Sequence, residues 1–204
     1  MSVFFDFHTH NSNPPPGVTA LISRPAPLPD DGKLYSLELH PWHCGGPELP
    51  AGFRENAVRA AGIGEIGLDR LRGPELSLQR QVLRAALEVA AELHKPVILH
   101  CVRAAAELQS DLKPYPGMKK LLHGFRGGVR ELERWLELGF FVSLAPTALR
   151  PEFAPFAAAR IGLETDDGEM PIAELYRRAG ALFGADFTAV NARNFKAFLG
   201  IQLS

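Results

Sequence analysis

The chain has 204 residues, 46% of them hydrophobic and 22% charged, with a formal net charge of -1. Those proportions are ordinary for a soluble globular protein of one large domain or two small ones. The near-zero charge argues against the broad basic footprint that duplex nucleic acid requires, though it leaves room for a substrate whose phosphate is held by a metal.

Two cysteines, Cys44 and Cys101, are too few for a disulfide framework and point to a reducing compartment. The chain opens without a basic, apolar leader, and no apolar run is long enough to span a bilayer. A cytoplasmic protein with no membrane association and no obligate protein partner is the expectation.

Eight short apolar runs recur along the chain. They are Val3–Phe7, Val18–Ser23, Leu34–Leu39, Ala61–Gly67, Pro96–His100, Met118–His123, Phe140–Leu144 and Arg160–Glu164. Their length and their β-branched or aromatic content suit buried strands. Helical patterns separate the later runs. Leu76–Leu93 carries an apolar face and is closed off by Pro96. Val129–Leu138 stops at Gly139. Pro171–Phe183 places a proline in a first helical turn. A last helix, near Phe187–Leu199, ends at Gly200.

Strands alternating with helices predict an α/β fold with a parallel sheet, and eight strands predict a TIM-type (β/α)8 barrel. The first two connections break the pattern. Residues 11–17 hold three consecutive prolines, and residues 24–33 hold three more with two aspartates. Neither suits a crossover helix. The expectation is a reduced barrel, one domain over residues 1–204, whose first one or two helices are missing or replaced by loops.

Side chains two apart on a strand share a face. Asp6, His8 and His10 therefore fall together, with Phe5 and Phe7 opposite. His8 and His10 stand at the C-terminal end of their strand, where barrel enzymes keep their active sites. For these two histidines alone, satisfied core residues would be the simpler explanation. Glu65, His100, His123 and Asp166 change that, because each stands near the end of another strand. Six ligand-type side chains on five strands need a common partner, and metal ions provide one. Nitrogen and oxygen ligands including two carboxylates can hold a pair of divalent ions about 3.5–4 Å apart, with Glu65 placed to bridge. Such a donor set suits Zn²⁺, Mn²⁺, Fe²⁺ or Ni²⁺. Asp6, one step deeper, is placed to orient a histidine from behind.

The stretches DFHTH (Asp6–His10), LHPWH (Leu39–His43), GEIGLD (Gly64–Asp69), PVILHC (Pro96–Cys101), HGF (His123–Phe125) and ETD (Glu164–Asp166) resemble, in that order, the TatD family of metal-dependent hydrolases in the amidohydrolase superfamily. The resemblance implies a TIM barrel, metal ligands at His8, His10, Glu65, His100, His123 and Asp166, and a deoxyribonuclease-like phosphodiesterase using Mg²⁺, Mn²⁺ or Zn²⁺. Two departures stand out. The segment between the first histidine pair and HPW is short for the family. Asp167–Gly168 follow ETD where the family commonly has a small residue and proline.

Substrate contacts are expected from His40 and His43, which flank Pro41–Trp42, and from Arg103, three residues beyond His100. Trp42 can stack on a base, and the Arg103 guanidinium can fork onto a phosphate. The plainer alternatives are a proline turn whose tryptophan packs on the barrel, and an ion pair of Arg103 with Glu107. Asp69 can buttress its loop or hydrogen-bond a ligand. Lys113, Lys119, Lys120, Arg126 and Arg130 could form a small positive rim, but a solvated surface is the plainer reading.

The expected activity is hydrolysis of phosphodiester bonds at a dinuclear site, with single-stranded DNA ends as substrate and Asp166 as both ligand and general base. Two alternatives stand beside it: hydrolysis of a small-molecule ester, amide or phosphomonoester at the same site, and metal binding without turnover.

Overall fold

The computed structural model describes residues 4–184 and 186–202. Val3, the expected start of the first strand, lies outside them. All eight expected strands are present: β1 (Phe4–Thr9), β2 (Val18–Arg24), β3 (Leu34–Leu37), β4 (Gly62–Asp69), β5 (Val97–Val102), β6 (Lys120–Leu122), β7 (Phe141–Leu144) and β8 (Ile161–Leu163). The four expected helices are here as α2 (Leu76–Glu92), α4 (Val129–Glu137), α5 (Ile172–Phe183) and α6 (Phe187–Leu199). As expected, no helix fills the proline-rich segments after β1 and β2.

Two further helices complete the set: α3 (Ala105–Leu112), the helix expected to carry Glu107 after Arg103, and α1 (Phe53–Arg59), which was not expected. Both are short. Of α1 only Phe53 and Ala57 are buried. In α3 one of the three buried residues is Asp111. Two turns with so sparse an apolar face leave too little periodicity to read.

The chain divides into two compact units. One comprises the described residues of Met1–Ile22 and Leu121–Ser204, the other Ser23–Lys120.

In the first unit β6, β7 and β8 pair in parallel, with Leu121 opposite Phe141 and Val142 opposite Ile161. A parallel bridge between Thr9 and Asp166 carries the ladder on to β1, which pairs in turn with β2. The odd face of β1 builds core. Phe5 and Phe7 meet Phe195 of α6 with ring centroids 5.2 Å apart in both cases. Phe7 is fully buried, which is worth roughly 1.5–3 kcal/mol. A Cβ on Gly162 of β8 would stand 2.5 Å from the Phe7 ring, so only glycine fits there. The buried Asn191 of α6 ties the two strands together. Its Oδ1 accepts from the Leu163 N–H at 2.9 Å and its Nδ2 donates to the Phe5 carbonyl at 3.1 Å.

In the second unit β3, β4 and β5 are parallel, with Ser36 opposite Gly62 and Ile63 opposite Val97. Every residue of β4 is buried. Helix α2 lays Val82, Leu83, Ala86, Leu87, Val89 and Ala90 inward. Asp111 of α3 accepts from Arg80 at 2.8 Å through both carboxylate oxygens and from Arg84 at 2.8 Å, linking α3 to α2. Lys120 corrects the expectation of a solvated surface, since it is buried on β6 and burial lowers its pKa. Among the described residues no helix is long and apolar enough to cross a membrane.

Candidate metal centre

The ligand-type side chains of the first unit gather at the ends of β1, β6 and β8. Asp166 follows β8 with a φ of +54°. Its backbone is fastened to β1 on both sides: the Asp166 N–H donates to the His8 carbonyl and the His10 N–H donates to the Asp166 carbonyl, each at 3.0 Å. This brings Asp166 Oδ1 to 3.6 Å from His8 Nε2 and 3.7 Å from His10 Nε2. His8 is fully buried, and the His123 ring lies 4.2 Å from it. Two groups whose donor atoms lie within 4.8 Å of one another result: His8, His10 and Asp166, and His123, Glu164 and Asp166.

Glu164 was not foreseen as a site residue. It is fully buried, accepting from the Gly124 N–H at 2.6 Å and from Ser143 Oγ at 2.6 Å, with His123 Nδ1 at 3.9 Å. Burial holds its pKa above the ordinary carboxylate value, and the charges of His123 and His8 only partly offset this. A signal for it existed. Glu164 stands two before Asp166, as His8 stands two before His10, and the same period-two rule selects it.

Asp6 differs from expectation. Among the described residues its hydrogen bonds come from the backbone N–H of His8 at 3.3 Å, the Thr165 N–H at 3.1 Å and Thr165 Oγ1 at 2.7 Å. It therefore braces the main chain around His8 and Asp166 rather than an imidazole. Burial raises its pKa to about 7, against the lowering effect of those bonds.

The second unit carries the other set. Glu65 of β4 has His100 Nδ1 at 2.7 Å and His40 Nε2 at 3.0 Å from its Oε1. Donor atoms of His40, Glu65 and His100 lie within 4.8 Å of one another. The far side of His100 meets Asp69, Nε2 to Oδ2 at 3.2 Å. Burial acts to lower the His100 pKa, but the bonds and charges of Glu65 and Asp69 outweigh it and hold the pKa up. Asp69 meets His100 and also buttresses its own loop. Beyond His100, its Oδ1 accepts from the N–H groups of Leu71 at 2.8 Å and Arg72 at 3.1 Å. Gln79 of α2, also unforeseen, pins this loop. Its Oε1 accepts from the Asp69 N–H, and its Nε2 donates to the carbonyls of Asp69, Arg72 and Pro74. Its signal was an amide on the apolar face of α2, three residues before Val82.

The residues expected at the substrate divide. His40 is buried against Glu65, with Nδ1 accepting from the Trp42 N–H, so it does not reach out to solvent as an open substrate contact would. His43 is exposed, its ring 5.7 Å from that of His40. Arg103 is exposed at the end of β5, with a φ of +50°. The alternative ion pair with Glu107 does not form, because Glu107 is taken by Arg70. Cys44 is half-buried and burial raises its thiol pKa, which suits no nucleophile.

A family model matches the part of the chain that carries most of these side chains. Residues 34–167 match that of the TatD related DNases. The chain belongs to this family. The match starts after β1 and β2, so it includes Glu65, His100, His123 and Asp166, while His8 and His10 rest on geometry.

Among curated relatives, the uncharacterized metal-dependent hydrolase YjjV of Escherichia coli (strain K12) is 29% identical over 134 residues, covering 61% of this chain and 52% of the relative. The 3'-5' ssDNA/RNA exonuclease TatD of Edwardsiella piscicida is 33% identical over 147 residues, covering 65% of this chain and 55% of the relative. The chain spans about half the length of the curated relatives it matches. The crystal structure of YjjV from Escherichia coli superposes with a TM-score of 0.75 at 21% identity, over 98% of this chain and 99% of that one. The likeness shows the fold: eight parallel strands of the (β/α)8 barrel type, here without helices after β1 and β2.

Proposed function

We propose that this protein is a metal-dependent phosphodiesterase acting on single-stranded DNA or RNA ends, with residues 1–204 working as one catalytic domain. The observation that carries the reading is the ligand set at the strand ends: His8, His10 and Asp166 in one unit, and His40, Glu65 and His100 in the other, each with donor atoms within 4.8 Å. Family membership supports it, as do relatives named 3'-5' ssDNA/RNA exonuclease.

The donor chemistry fits divalent ions. Neutral imidazoles and carboxylates without cysteine suit Mn²⁺, Mg²⁺ or Zn²⁺ at a catalytic site better than a structural zinc. We assign His8, His10, Glu65, His100, His123 and Asp166 as the ligands of two such ions. When bound, the ions supply a water of lowered pKa and positive charge for the phosphoryl oxygens.

The chain's own residues do the rest. Asp166, fixed by its two backbone bonds to β1, accepts the proton of the attacking water. Asp69 holds the His100 ring in one orientation from its far side. Arg103, exposed beside His100 and without a carboxylate partner among the described residues, receives the substrate phosphate, with His43 as a second contact.

The test is hydrolysis of single-stranded oligonucleotides and of bis-p-nitrophenyl phosphate by chelator-stripped protein resupplied with Mn²⁺, Mg²⁺ or Zn²⁺. Turnover that returns with metal and falls about 10²–10⁴-fold in Asp166→Asn is expected. Asp166→Asn working as well as the parent, or no turnover with any ion, would falsify the reading. Turnover of small esters or amides with none of oligonucleotides would replace it with small-molecule hydrolysis.

A further inference from the structure

Two side chains beside the ligand set, Trp42 and Arg72, have no part in the chemistry above. Trp42 follows His40 in a short turn (Pro41–His43) and keeps 36% of its surface open, while the chain's other tryptophan, Trp135, is buried at 2%. Its indole does not swing freely. Nε1–H donates to Asp69 Oδ2 at 2.6 Å. The Arg72 guanidinium lies over the ring, 4.7 Å from its centroid. Arg72 is held by its own N–H on Asp69 Oδ1 and by its carbonyl on Gln79. Gly73 closes the assembly: a Cβ there would stand 2.8 Å from the Pro41 carbonyl and 2.9 Å from Trp42 Cα. The adjoining Leu71 is 60% exposed. Among the described residues the Arg72 guanidinium makes no ion pair. Arg70 Nε donates to the Arg103 carbonyl at 2.9 Å, which fastens this loop to the one carrying Arg103.

An exposed apolar ring held rigid under a cation is poor design for a surface that meets only water. It matches what a single strand offers, a flat base beside a negative phosphate. Stacking on an aromatic face binds any base, and a fixed guanidinium supplies the backbone charge.

We infer that Trp42 and Arg72 form a nucleobase-and-phosphate subsite for single-stranded polynucleotide, held in register with the ligand His100 by Asp69. The same carboxylate oxygen that meets His100 Nε2 receives the Trp42 N–H, so strand grip and ligand orientation share one anchor. This rests on the phosphodiesterase reading for the role of the neighbouring site, but the subsite itself needs no turnover.

The experiment is therefore binding in EDTA, where no hydrolysis occurs. Because Trp135 is buried, quenching of indole emission by an added strand reports on Trp42. Oligothymidylate is expected to quench it to saturation, and a deoxyribose-phosphate oligomer of the same length without bases is not. Polarisation of a labelled oligothymidylate then gives affinity. Trp42→Ala is expected to weaken binding about tenfold, equivalent to about 1.4 kcal/mol, whereas Trp42→Phe keeps a stacking face and most of the affinity. Arg72→Ala, on an exposed side chain, is expected to weaken binding and flatten its salt dependence. Unchanged melting curves for each variant show that folding is intact. Equal quenching by the baseless oligomer, or parental affinity in both Trp42→Ala and Arg72→Ala, overturns the subsite. Protein that binds in this way but hydrolyses nothing overturns the phosphodiesterase reading alone. Protein that cleaves small diesters with no Trp42-dependent binding overturns the subsite alone.

Discussion

Glu164 supports the first unit's imidazoles from inside the core. A carboxylate with no solvent exposure is costly unless every oxygen is occupied. Here one oxygen takes the Gly124 N–H and the other the Ser143 hydroxyl, beside His123. Glu164→Gln keeps the shape but removes the negative charge that complements His123 and a bound cation. The expected result is a 10- to 100-fold loss of Mn²⁺ affinity with little loss of thermal stability, read by isothermal titration against melting curves. An affinity equal to the parent's would remove Glu164 from the metal site. The contrast with its neighbours says what was legible at this scale. Candidate ligands at strand ends that follow apolar residues, such as His100 and His123, stood out. Glu164 lies inside ETD, directly after a strand whose end already carries Asp166, so it did not stand out. The partners of Asp6 were illegible for another reason: Thr165 stands 159 positions away along the chain, and only the β1–β8 bridge brings the two together.

At the level of elements, the spacing of GEIGLD has a packing cause. Gly64 and Gly67 bracket Glu65 where β5 comes closest. A Cβ at Gly64 would stand 2.4 Å from the Ile98 carbonyl oxygen, and one at Gly67 2.0 Å from that of His100. Both obstacles are backbone and cannot swing away, so Gly67→Ala must push β5 off β4 and widen the Glu65–His100 contact. A loss of about 2–4 kcal/mol in urea unfolding is expected, together with weaker metal binding. Unfolding at the parent's urea midpoint would show that the strands have slack. The α2–α3 contact gives a second prediction. Burial acts to raise the Asp111 pKa, but Arg80 and Arg84 outweigh it and hold the folded value below the ordinary 3.8. A carboxylate depressed in the folded state stabilises above its unfolded pKa, and that stability is lost as pH falls below about 4. Melting temperatures of chelated protein between pH 6 and 3 should therefore fall less steeply in Asp111→Asn. The slope difference is expected to be modest, because the Arg84 side chain is 53% exposed and screened. Parallel slopes would assign the acid sensitivity elsewhere. Elements longer than three turns, or bounded by proline and glycine, could be read before the structure. The bounds of the two-turn helices α1 and α3 could not, since their burial depends on partners rather than on a periodic stripe.

For the whole molecule, chain order sets an expectation about cooperativity. The first unit draws its strands from both ends of the described chain, and residues 23–120 lie between them. Closing that unit around an unfolded segment of such length costs loop entropy that an ordered second unit replaces. Unfolding of one unit should therefore carry the other with it, as the single-domain proposal requires. Bound ions make this measurable, because each unit has its own group of side chains that could hold an ion. An ion present at 100 times its Kd stabilises by about 2.7 kcal/mol. For a chain of this size that raises the melting temperature by about 5–10 °C. Calorimetry of chelated and Mn²⁺-loaded protein should show one transition that shifts upward as a whole. His10→Ala, in the first unit, and His100→Ala, in the second, should each remove part of the shift from that same transition. Two peaks, one answering only to His10→Ala and the other only to His100→Ala, would mean that the units unfold and bind independently, and that residues 1–204 are not one catalytic domain.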